Sequence, residues 1–330
     1  MGYSVGIGLT NACDLQCAHC YRDTTRTDMI SLEQVRRICE ALPVDAMGLG
    51  TGESGLHPEF PAIVRYLHGR GVKLSVASNG YTLMGMPDDL LRAFHDVEVS
   101  IDFPTAAEQD AFRGPGNWEL VHAAMARCRE HRVPASILVT LMATNYDRMA
   151  ELVALARRNG ANLRVNAYQP VHTDRYRLSY EQFWSGYAGL FAAGLVVSCS
   201  EPVVRAAMGL DEVRSPCARN SIRFNPRGQL IPCVYWPLDG ARAPRIEDLI
   251  ALGEQALDAP AFVAARATPP SAAGCRCQGG CASRRALLGD LDAHDAYCPW
   301  VRGDEIHLAW RPAPARDLMR SGNVCTTVVL

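Results

Sequence analysis

The chain has 330 residues, of which 48% are hydrophobic and 21% are charged, a balance typical of a folded protein rather than a disordered one. A formal net charge of −2 gives no reason to expect nucleic acid or a membrane surface as a partner. We find no signal peptide and no apolar run of membrane-spanning length, so the expected location is cytoplasmic. Thirteen cysteines in such a chain indicate metal or redox chemistry rather than disulfides.

Strand-like and helix-like patterns alternate over the first half of the chain. Gly71, Pro134 and Gly160 mark joins between a helix and the next strand, as turn residues do. Six βα-type units in series predict a parallel sheet, either doubly wound or a partial barrel. The strand-like runs cover residues 3–10, 44–49, 72–77, 96–101, 134–142 and 161–168, and the helical patterns cover 31–42, 58–70, 87–94, 117–131 and 147–159.

Three cysteines follow the first strand within eight residues, at Cys13, Cys17 and Cys20. Closed structural zinc sites use four protein ligands, and an ordinary cubane cluster is held by four cysteines. A compact loop with three thiols therefore favours a [4Fe–4S] cluster with one iron free to bind another molecule. A zinc knuckle is the alternative.

Polar and glycine-rich residues also follow the later strands. Ligands of such folds bind at the carboxyl ends of the strands, so we expect these residues to share one rim. Turn chemistry explains any one of them alone, but their convergence favours a binding site. They are Gly50-Thr51-Gly52-Glu53, Ser78-Asn79-Gly80, Ser100-Ile101-Asp102, Asn145 and Tyr168.

The cysteine loop, with His19 before its last cysteine and Tyr21 after it, resembles the signature of the radical S-adenosylmethionine (radical SAM) superfamily. The resemblance implies a partial (β/α)6 TIM-like barrel over residues 1–170. It also implies that Cys13, Cys17 and Cys20 hold a [4Fe–4S] cluster whose free iron chelates the methionine part of S-adenosylmethionine. Reductive cleavage of that cofactor then gives a 5′-deoxyadenosyl radical.

The rim residues resemble further elements of the same family. Gly52 and Glu53 resemble a Gly-Gly-Glu element that holds the methionine ammonium, although Thr51 and Ser54 depart from the usual pattern. A carboxylate suits that cation, and glycine lets backbone approach closely. Arg113 suits a carboxylate, with a surface ion pair as its alternative. The cofactor-binding residues that the resemblance implies are His19, Gly52, Glu53, Ser78, Asn79, Ser100, Asp102, Arg113, Asn145 and Tyr168.

The rest of the chain divides into a bridging segment over residues 171–215, with an amphipathic helix at about 180–193, and a cysteine-rich segment over 216–330. The stretch between Cys217 and Cys233 predicts a β-hairpin around Pro226-Arg227-Gly228. The segment resembles the SPASM and Twitch extensions of radical SAM enzymes, which carry auxiliary iron–sulfur clusters. Its implied ligands are Cys217, Cys233, Cys275, Cys277, Cys281 and Cys298.

Six thiols are fewer than the seven or eight of a full two-cluster extension. They complete one [4Fe–4S] cluster and leave two spare, or they hold two clusters with open irons. We favour one complete cluster on Cys217, Cys233, Cys281 and one of the other three, with a zinc site as the alternative. The hydrophobic tail is expected to dock as an edge strand, and a second hypothesis gives Cys325 a role as an iron ligand or a radical or acid partner.

The expected substrate is a small polar molecule of the sugar, aminocyclitol or nucleoside type, because the cluster motif starts at residue 13 and leaves no room for an N-terminal peptide-binding domain. Modification of a ribosomally made peptide is the alternative, and a non-catalytic cysteine-cluster metalloprotein is the second alternative. The auxiliary cluster would assist by oxidation, substrate ligation or sulfur donation. The expected electron donor is flavodoxin or ferredoxin. The weak candidates for a catalytic residue are Cys325, Tyr168 and His172.

Overall fold

The structure, a computed structural model, describes residues 2–210, 217–238, 243–314 and 325–329. It contains ten strands in this part of the chain. They are β1 (Tyr3–Gly8), β2 (Val44–Gly50), β3 (Lys73–Ser78), β4 (Asp96–Ser100), β5 (Ala135–Leu141), β6 (Asn162–Ala167), β7 (Leu195–Cys199), β8 (Ser221–Phe224), β9 (Leu230–Ile231) and β10 (Cys325–Val329).

The helices of the described residues lie between these strands and after β9. They are α1 (Leu32–Ala41), α2 (Phe60–Gly69), α3 (Tyr81–Gly85), α4 (Asp88–Leu91), α5 (Ala106–Arg113), α6 (Asn117–Glu130), α7 (Met149–Arg158), α8 (Tyr180–Ala193), α9 (Pro202–Ala207), α10 (Ile246–Leu252), α11 (Pro260–Arg266), α12 (Ala282–Leu287) and α13 (Pro299–Arg302). No described helix is long and apolar enough to cross a lipid bilayer.

The strands form one sheet in the order β7-β10-β6-β5-β4-β3-β2-β1-β8-β9. Strands β1 to β6 are parallel and lie side by side in chain order, which confirms the predicted α/β fold of a partial barrel. Helices α1, α2, α6 and α7 each bury an apolar stripe against the rest of the protein. In α2, for example, Phe60, Ile63, Val64 and Leu67 are buried at helical spacing.

The cysteine-rich segment and the tail extend this sheet. Strand β8 pairs in parallel with β1, and β9 completes the predicted hairpin by pairing antiparallel with β8. Strand β10 lies between β6 and β7 and pairs antiparallel with both. The tail therefore docks as a strand, but inside the sheet instead of at its edge. The side chain of Cys325 lies outside the described part of the structure, and the division of the chain at residues 170 and 215 stays a prediction.

Two local predictions differ from the structure. The helical pattern over 87–94 forms only the short helix α4, and α3 precedes it; Pro87 separates the two because its ring cannot continue a helix. Residues 106–113 form helix α5, whose first turn is capped by the Thr105 hydroxyl, which accepts a hydrogen bond from the Glu108 N–H at 3.4 Å. The sequence patterns include no helix at 106–113, and the helix ends at the turn at 114–116.

Candidate radical SAM site

A cavity of about 230 Å³ lies at the carboxyl ends of the parallel strands. The three cysteines of the N-terminal loop line it, together with eight of the ten predicted cofactor-binding residues. The convergence on one rim that the sequence predicts is therefore present. The lining residues among these are Cys13, Cys17, Cys20, His19, Gly52, Glu53, Ser78, Asn79, Ser100, Arg113 and Tyr168.

The cysteine loop is held by an arginine that the sequence did not single out. The Arg22 guanidinium donates to the backbone oxygens of Asn11 at 2.8 Å and Leu15 at 2.6 Å. All three thiols are half-buried, and burial raises the pKa of Cys13 to about 12. Because metal ligation needs thiolates, a bound cation must supply the charge that stabilises them at this site.

The turn at Thr51 and Gly52 lies directly against this loop. Gly52 has a φ of +65°, and a Cβ atom there would lie 2.4 Å from the Ala12 backbone oxygen. The Glu53 N–H donates to the same Ala12 oxygen at 2.8 Å. Only glycine permits this approach, which explains the motif in physical terms.

The Glu53 carboxylate is buried and oriented by the end of β3 and the start of α3. Its Oε1 accepts hydrogen bonds from the Ser78 hydroxyl at 2.5 Å and from the N–H and hydroxyl of Thr82. Its Oε2 accepts the Asn79 N–H at 3.0 Å. Burial raises the pKa of this carboxyl, while these hydrogen bonds lower it. The Asn79 contact leaves acceptor capacity on Oε2, as binding of an ammonium group would require.

Asp102 lies beneath the rim and positions Arg113. Its Oδ2 accepts hydrogen bonds from Arg113 Nε at 2.8 Å and Nη2 at 2.7 Å, and its Oδ1 accepts the Thr140 N–H at 2.9 Å. Arg113 Nη1 lies 3.9 Å from the Cys17 sulfur. Asp102 is fully buried and does not line the cavity, so it acts through Arg113 in this structure.

His19 is a neutral ring in the cavity wall. It stacks on Phe112 with ring centroids 4.8 Å apart, and burial lowers its pKa to about 4. Its Nε2 lies 3.6 Å from Asp102 Oδ2. This environment suits contact with a flat ring or a cluster, as the resemblance implies.

Besides Asp102, two further predicted residues do not line the cavity. Asn145 is fully buried, and its side chain ties the end of β4 to β5. Its Nδ2 donates to the backbone oxygens of Asp102 and Thr140, and its Oδ1 accepts the Met142 N–H. His172 is exposed, and its Nε2 lies 3.0 Å from the Tyr21 backbone oxygen. Tyr168 does line the cavity, but its hydroxyl donates to the Thr173 backbone oxygen at 2.8 Å.

The cavity wall contains buried polar atoms that need a partner. Asn166 Oδ1 and Gln169 Oε1 are buried and accept no hydrogen bond from the described residues, and both side chains line the cavity. An unsatisfied buried acceptor is costly, so a bound molecule with N–H or O–H donors fits this wall. The polar residues Asn166 and Gln169, at and just after the end of β6, are the feature of the sequence that could have predicted this part of the wall.

A second group of thiols lies in the cysteine-rich segment. The sulfur of Cys275 lies 3.2 Å from that of Cys277 and 3.6 Å from that of Cys298, and the last two sulfurs are 3.4 Å apart. Three soft thiol ligands suit zinc or an iron–sulfur cluster. Their three sulfurs lie within 4.8 Å of one another and could hold a metal together.

Cys217, Cys233 and Cys281 line a separate small cavity of about 30 Å³. The six thiols therefore divide into two groups of three, and the three candidates for a fourth ligand lie together in the other group. Cys217 and Cys277 also line one neighbouring cavity, so the groups are adjacent.

A buried ionic network supports the second region. Asp295 Oδ2 accepts the Cys281 N–H at 2.7 Å and a hydrogen bond from Arg284 Nη2 at 2.6 Å. Arg284 also donates to Glu201 Oε1 at 2.6 Å, and its guanidinium lies 4.7 Å from the Tyr297 ring centroid. Gly280 is needed beside Asp295, because a Cβ there would lie 2.3 Å from the Asp295 Cβ. The network fixes the backbone that carries Cys281 and Cys298.

Comparison with known proteins places these observations in a family. The chain is 30% identical over 170 residues to the mycofactocin maturase MftC of Mycolicibacterium smegmatis, a match that spans 49% of this chain and 43% of MftC. It is 26% identical over 172 residues to an S-adenosylmethionine-dependent nucleotide dehydratase of Selenomonas ruminantium, over 50% of this chain and 55% of that protein. The matched segment thus spans about half the length of these relatives.

The fold resembles that of solved structures. Streptococcus suis SuiB bound to the precursor peptide SuiA superposes with a TM-score of 0.69 at 14% identity, over 90% of this chain and 75% of SuiB. At that identity the likeness is one of fold. The family model described as the radical SAM superfamily matches residues 7–196. This match covers more than half of the chain, and the chain belongs to the radical SAM superfamily.

Proposed function

We propose that this radical SAM enzyme modifies a ribosomally made peptide. The observation that carries the proposal is the 30% identity to MftC, a protein named as a maturase. The likeness in fold to SuiB, which was solved with a precursor peptide bound, is consistent with it. The expectation of a small polar substrate rested on the short segment ahead of Cys13, and that segment does not limit a peptide recognised by a separate protein.

The radical site has the residues that its cofactors need. Radical SAM enzymes use a [4Fe–4S] cluster and S-adenosylmethionine, which together supply a 5′-deoxyadenosyl radical that abstracts hydrogen from carbon. Cys13, Cys17 and Cys20 would hold the cluster. Glu53 and the Gly52 backbone would orient the methionine ammonium, and Arg113 would bind its carboxylate or balance the charge of the Cys17 thiolate.

The two groups of three thiols would hold auxiliary iron–sulfur chemistry. Cys275, Cys277 and Cys298 offer three converging sulfurs, and Cys217, Cys233 and Cys281 border a separate cavity. This division favours two sites with three protein ligands each over one complete site with two spare thiols. Each site would then keep a coordination position for another ligand.

The auxiliary sites are tested by single substitutions. Cys298→Ala is expected to remove iron from the first group only, and Cys281→Ala from the second group only. Cys128→Ala is the matched control, because Cys128 is buried in α6 away from both groups. Equal loss of all auxiliary iron in both variants would instead support one shared site, and zinc in place of iron would support a structural metal site.

A nucleotide or other small polar substrate is the second candidate function. It is favoured by the 26% identity to a nucleotide dehydratase, which matches about the same segment of this chain. The two candidate functions differ in the kind of substrate that must enter the cavity, and one experiment can distinguish them.

The substrate test uses the anaerobically reconstituted full chain with S-adenosylmethionine and dithionite. Peptides encoded near its gene are incubated in parallel with ribonucleotides, and products are analysed by mass spectrometry. A mass change in a peptide that requires S-adenosylmethionine and is lost in Cys17→Ala supports the proposal. Conversion of a nucleotide, with no peptide changed, would replace it with the second candidate.

A further inference from the structure

An arginine of the cysteine-rich segment projects into the radical SAM cavity. Arg223 lies on β8, is only 5% exposed and lines the same cavity as the N-terminal cysteine loop. Its position is paired with Gly6 of β1. A Cβ at residue 6 would lie 2.2 Å from Arg223 Nη1 and 2.4 Å from its Cδ. Gly6 therefore makes the room in which the arginine side chain lies.

The Arg223 guanidinium forms no ion pair with a carboxylate of the described residues, and the groups that interact most with its charge are Cys233, Cys217 and Tyr21. Within the described structure, Arg223 Nη1 donates a hydrogen bond to the Ile222 backbone oxygen at 3.1 Å. An arginine remains charged in proteins, and a buried charge without a counter-charge is strongly destabilising. A buried positive charge that faces a cavity in this way indicates a binding position for an anion.

Another buried arginine of the barrel has its charge paired with carboxylates. Arg164 on β6 forms ion pairs with Asp96 and with Glu98, the latter at 2.7 Å. Both carboxylates on β4 are therefore already bound. Glu98 lines the cavity, but it lies outside ion-pair distance of Arg223 within the described structure.

The location separates Arg223 from the rim residues that face the cofactor. Those residues follow β2 to β6, whereas Arg223 lies beyond β1 on the strand that leads from Cys217 towards Cys233. Tyr235, also in the cavity wall, contacts the Tyr21 ring with centroids 5.2 Å apart. This wall joins the radical site to the auxiliary thiols, where a substrate would have to lie to reach both.

We propose that Arg223 binds a carboxylate of the substrate inside the cavity, and that this contact fixes which carbon faces the radical. The inference rests on the proposed function in that the substrate is a peptide, whose carboxylates are its C-terminus and its acidic side chains. Two N–H donors of one guanidinium match the two oxygens of a carboxylate. Arg223 is thus a substrate-binding residue supplied by the cysteine-rich segment.

The first test measures binding of a simple carboxylate. Radiolabelled benzoate, with uncharged benzamide as the reference, is equilibrated by dialysis against the reconstituted full chain with S-adenosylmethionine present. Arg223→Gln is expected to weaken benzoate binding about ten- to hundredfold, as loss of charge-assisted hydrogen bonds does. Benzamide binding should not change. Arg227→Gln is the matched control, because it removes a charge from the partly exposed turn of the same hairpin.

Two further variants keep the test decisive if Arg223→Gln folds poorly. Arg223→Lys keeps the charge but loses the bidentate geometry, and Gly6→Ala pushes the guanidinium aside without removing it; both should weaken benzoate binding. Iron content and affinity for S-adenosylmethionine should stay at the wild-type level. No benzoate binding to the wild type, equal binding to the Arg223 variants, or a parallel loss of S-adenosylmethionine binding would overturn the proposal.

The second test identifies the source of the carboxylate. A modified peptide is compared with its C-terminal amide and with versions in which each acidic residue is replaced by its amide. The version that reacts equally poorly with wild type and Arg223→Gln identifies the group that Arg223 binds. Benzoate binding through Arg223 without peptide modification would refute only the peptide proposal, and modification indifferent to Arg223 would refute only the present inference.

Discussion

Substitution of Gly52 by alanine tests whether the turn after β2 must lie against the cysteine loop. The left-handed φ of +65° costs a residue with a Cβ about 1–2 kcal/mol. The added Cβ would also lie 2.4 Å from the Ala12 oxygen and 2.5 Å from the Thr10 oxygen. Both neighbours are backbone atoms, so the clash should add about 1–3 kcal/mol, as overpacking of a buried site does.

Gly71→Ala provides the matched control. Gly71 has a φ of +73°, and nothing lies within 4 Å of a Cβ built there, so this variant carries the backbone cost alone. Urea unfolding of the metal-free chains should show Gly52→Ala to be less stable than Gly71→Ala by about 1–3 kcal/mol. Reconstituted Gly52→Ala should also bind less iron at the N-terminal loop. Equal stability of the two variants, with full iron in both, would refute the reasoning.

Two other predictions concern buried charges. Asp295→Ala removes a partner of Arg284 and the acceptor of the Cys281 N–H, and it should lower the free energy of unfolding in urea by about 3–5 kcal/mol. The control is Asp258→Ala, at an exposed position, which should lower it by less than about 1 kcal/mol. Similar losses of stability in the two variants would contradict the network. Burial raises the pKa of Asp96 to about 7 from 3.8, so the folded state binds more protons between these values and the free energy of unfolding should fall as pH rises from about 4 to 7. Asp96→Asn should flatten this dependence; an unchanged slope would refute the assignment.

The parallel strands were predictable because they are buried on both faces and read as short apolar runs between amphipathic helices. Strands β7, β8 and β10 enter the same sheet through partners far away in sequence. The parallel pairing of β8 with β1 leaves no local signal in Ser221-Ile222-Arg223-Phe224. The sequence therefore predicted a hairpin without its place in the sheet.

The cysteine loop and most of the rim were predictable because spacing and chain order alone bring them together. Asn145 was not, since an asparagine after a strand either faces a ligand or ties neighbouring backbone, and here it ties β4 to β5. Arg223 was missed for a related reason. Its significance depends on Gly6 and on the cavity between them, and neither is visible in the letters around residue 223.

The most direct test of the account is an anaerobic assay for 5′-deoxyadenosine with S-adenosylmethionine and dithionite, paired with iron and sulfide quantitation. We predict 5′-deoxyadenosine from the wild type and from Cys39→Ala, whose thiol is buried in α1, and none from Cys17→Ala. Iron should exceed about four atoms per chain, the content of one cubane, because the C-terminal thiols also bind iron. A wild-type chain that holds zinc instead of iron and forms no 5′-deoxyadenosine would contradict the account.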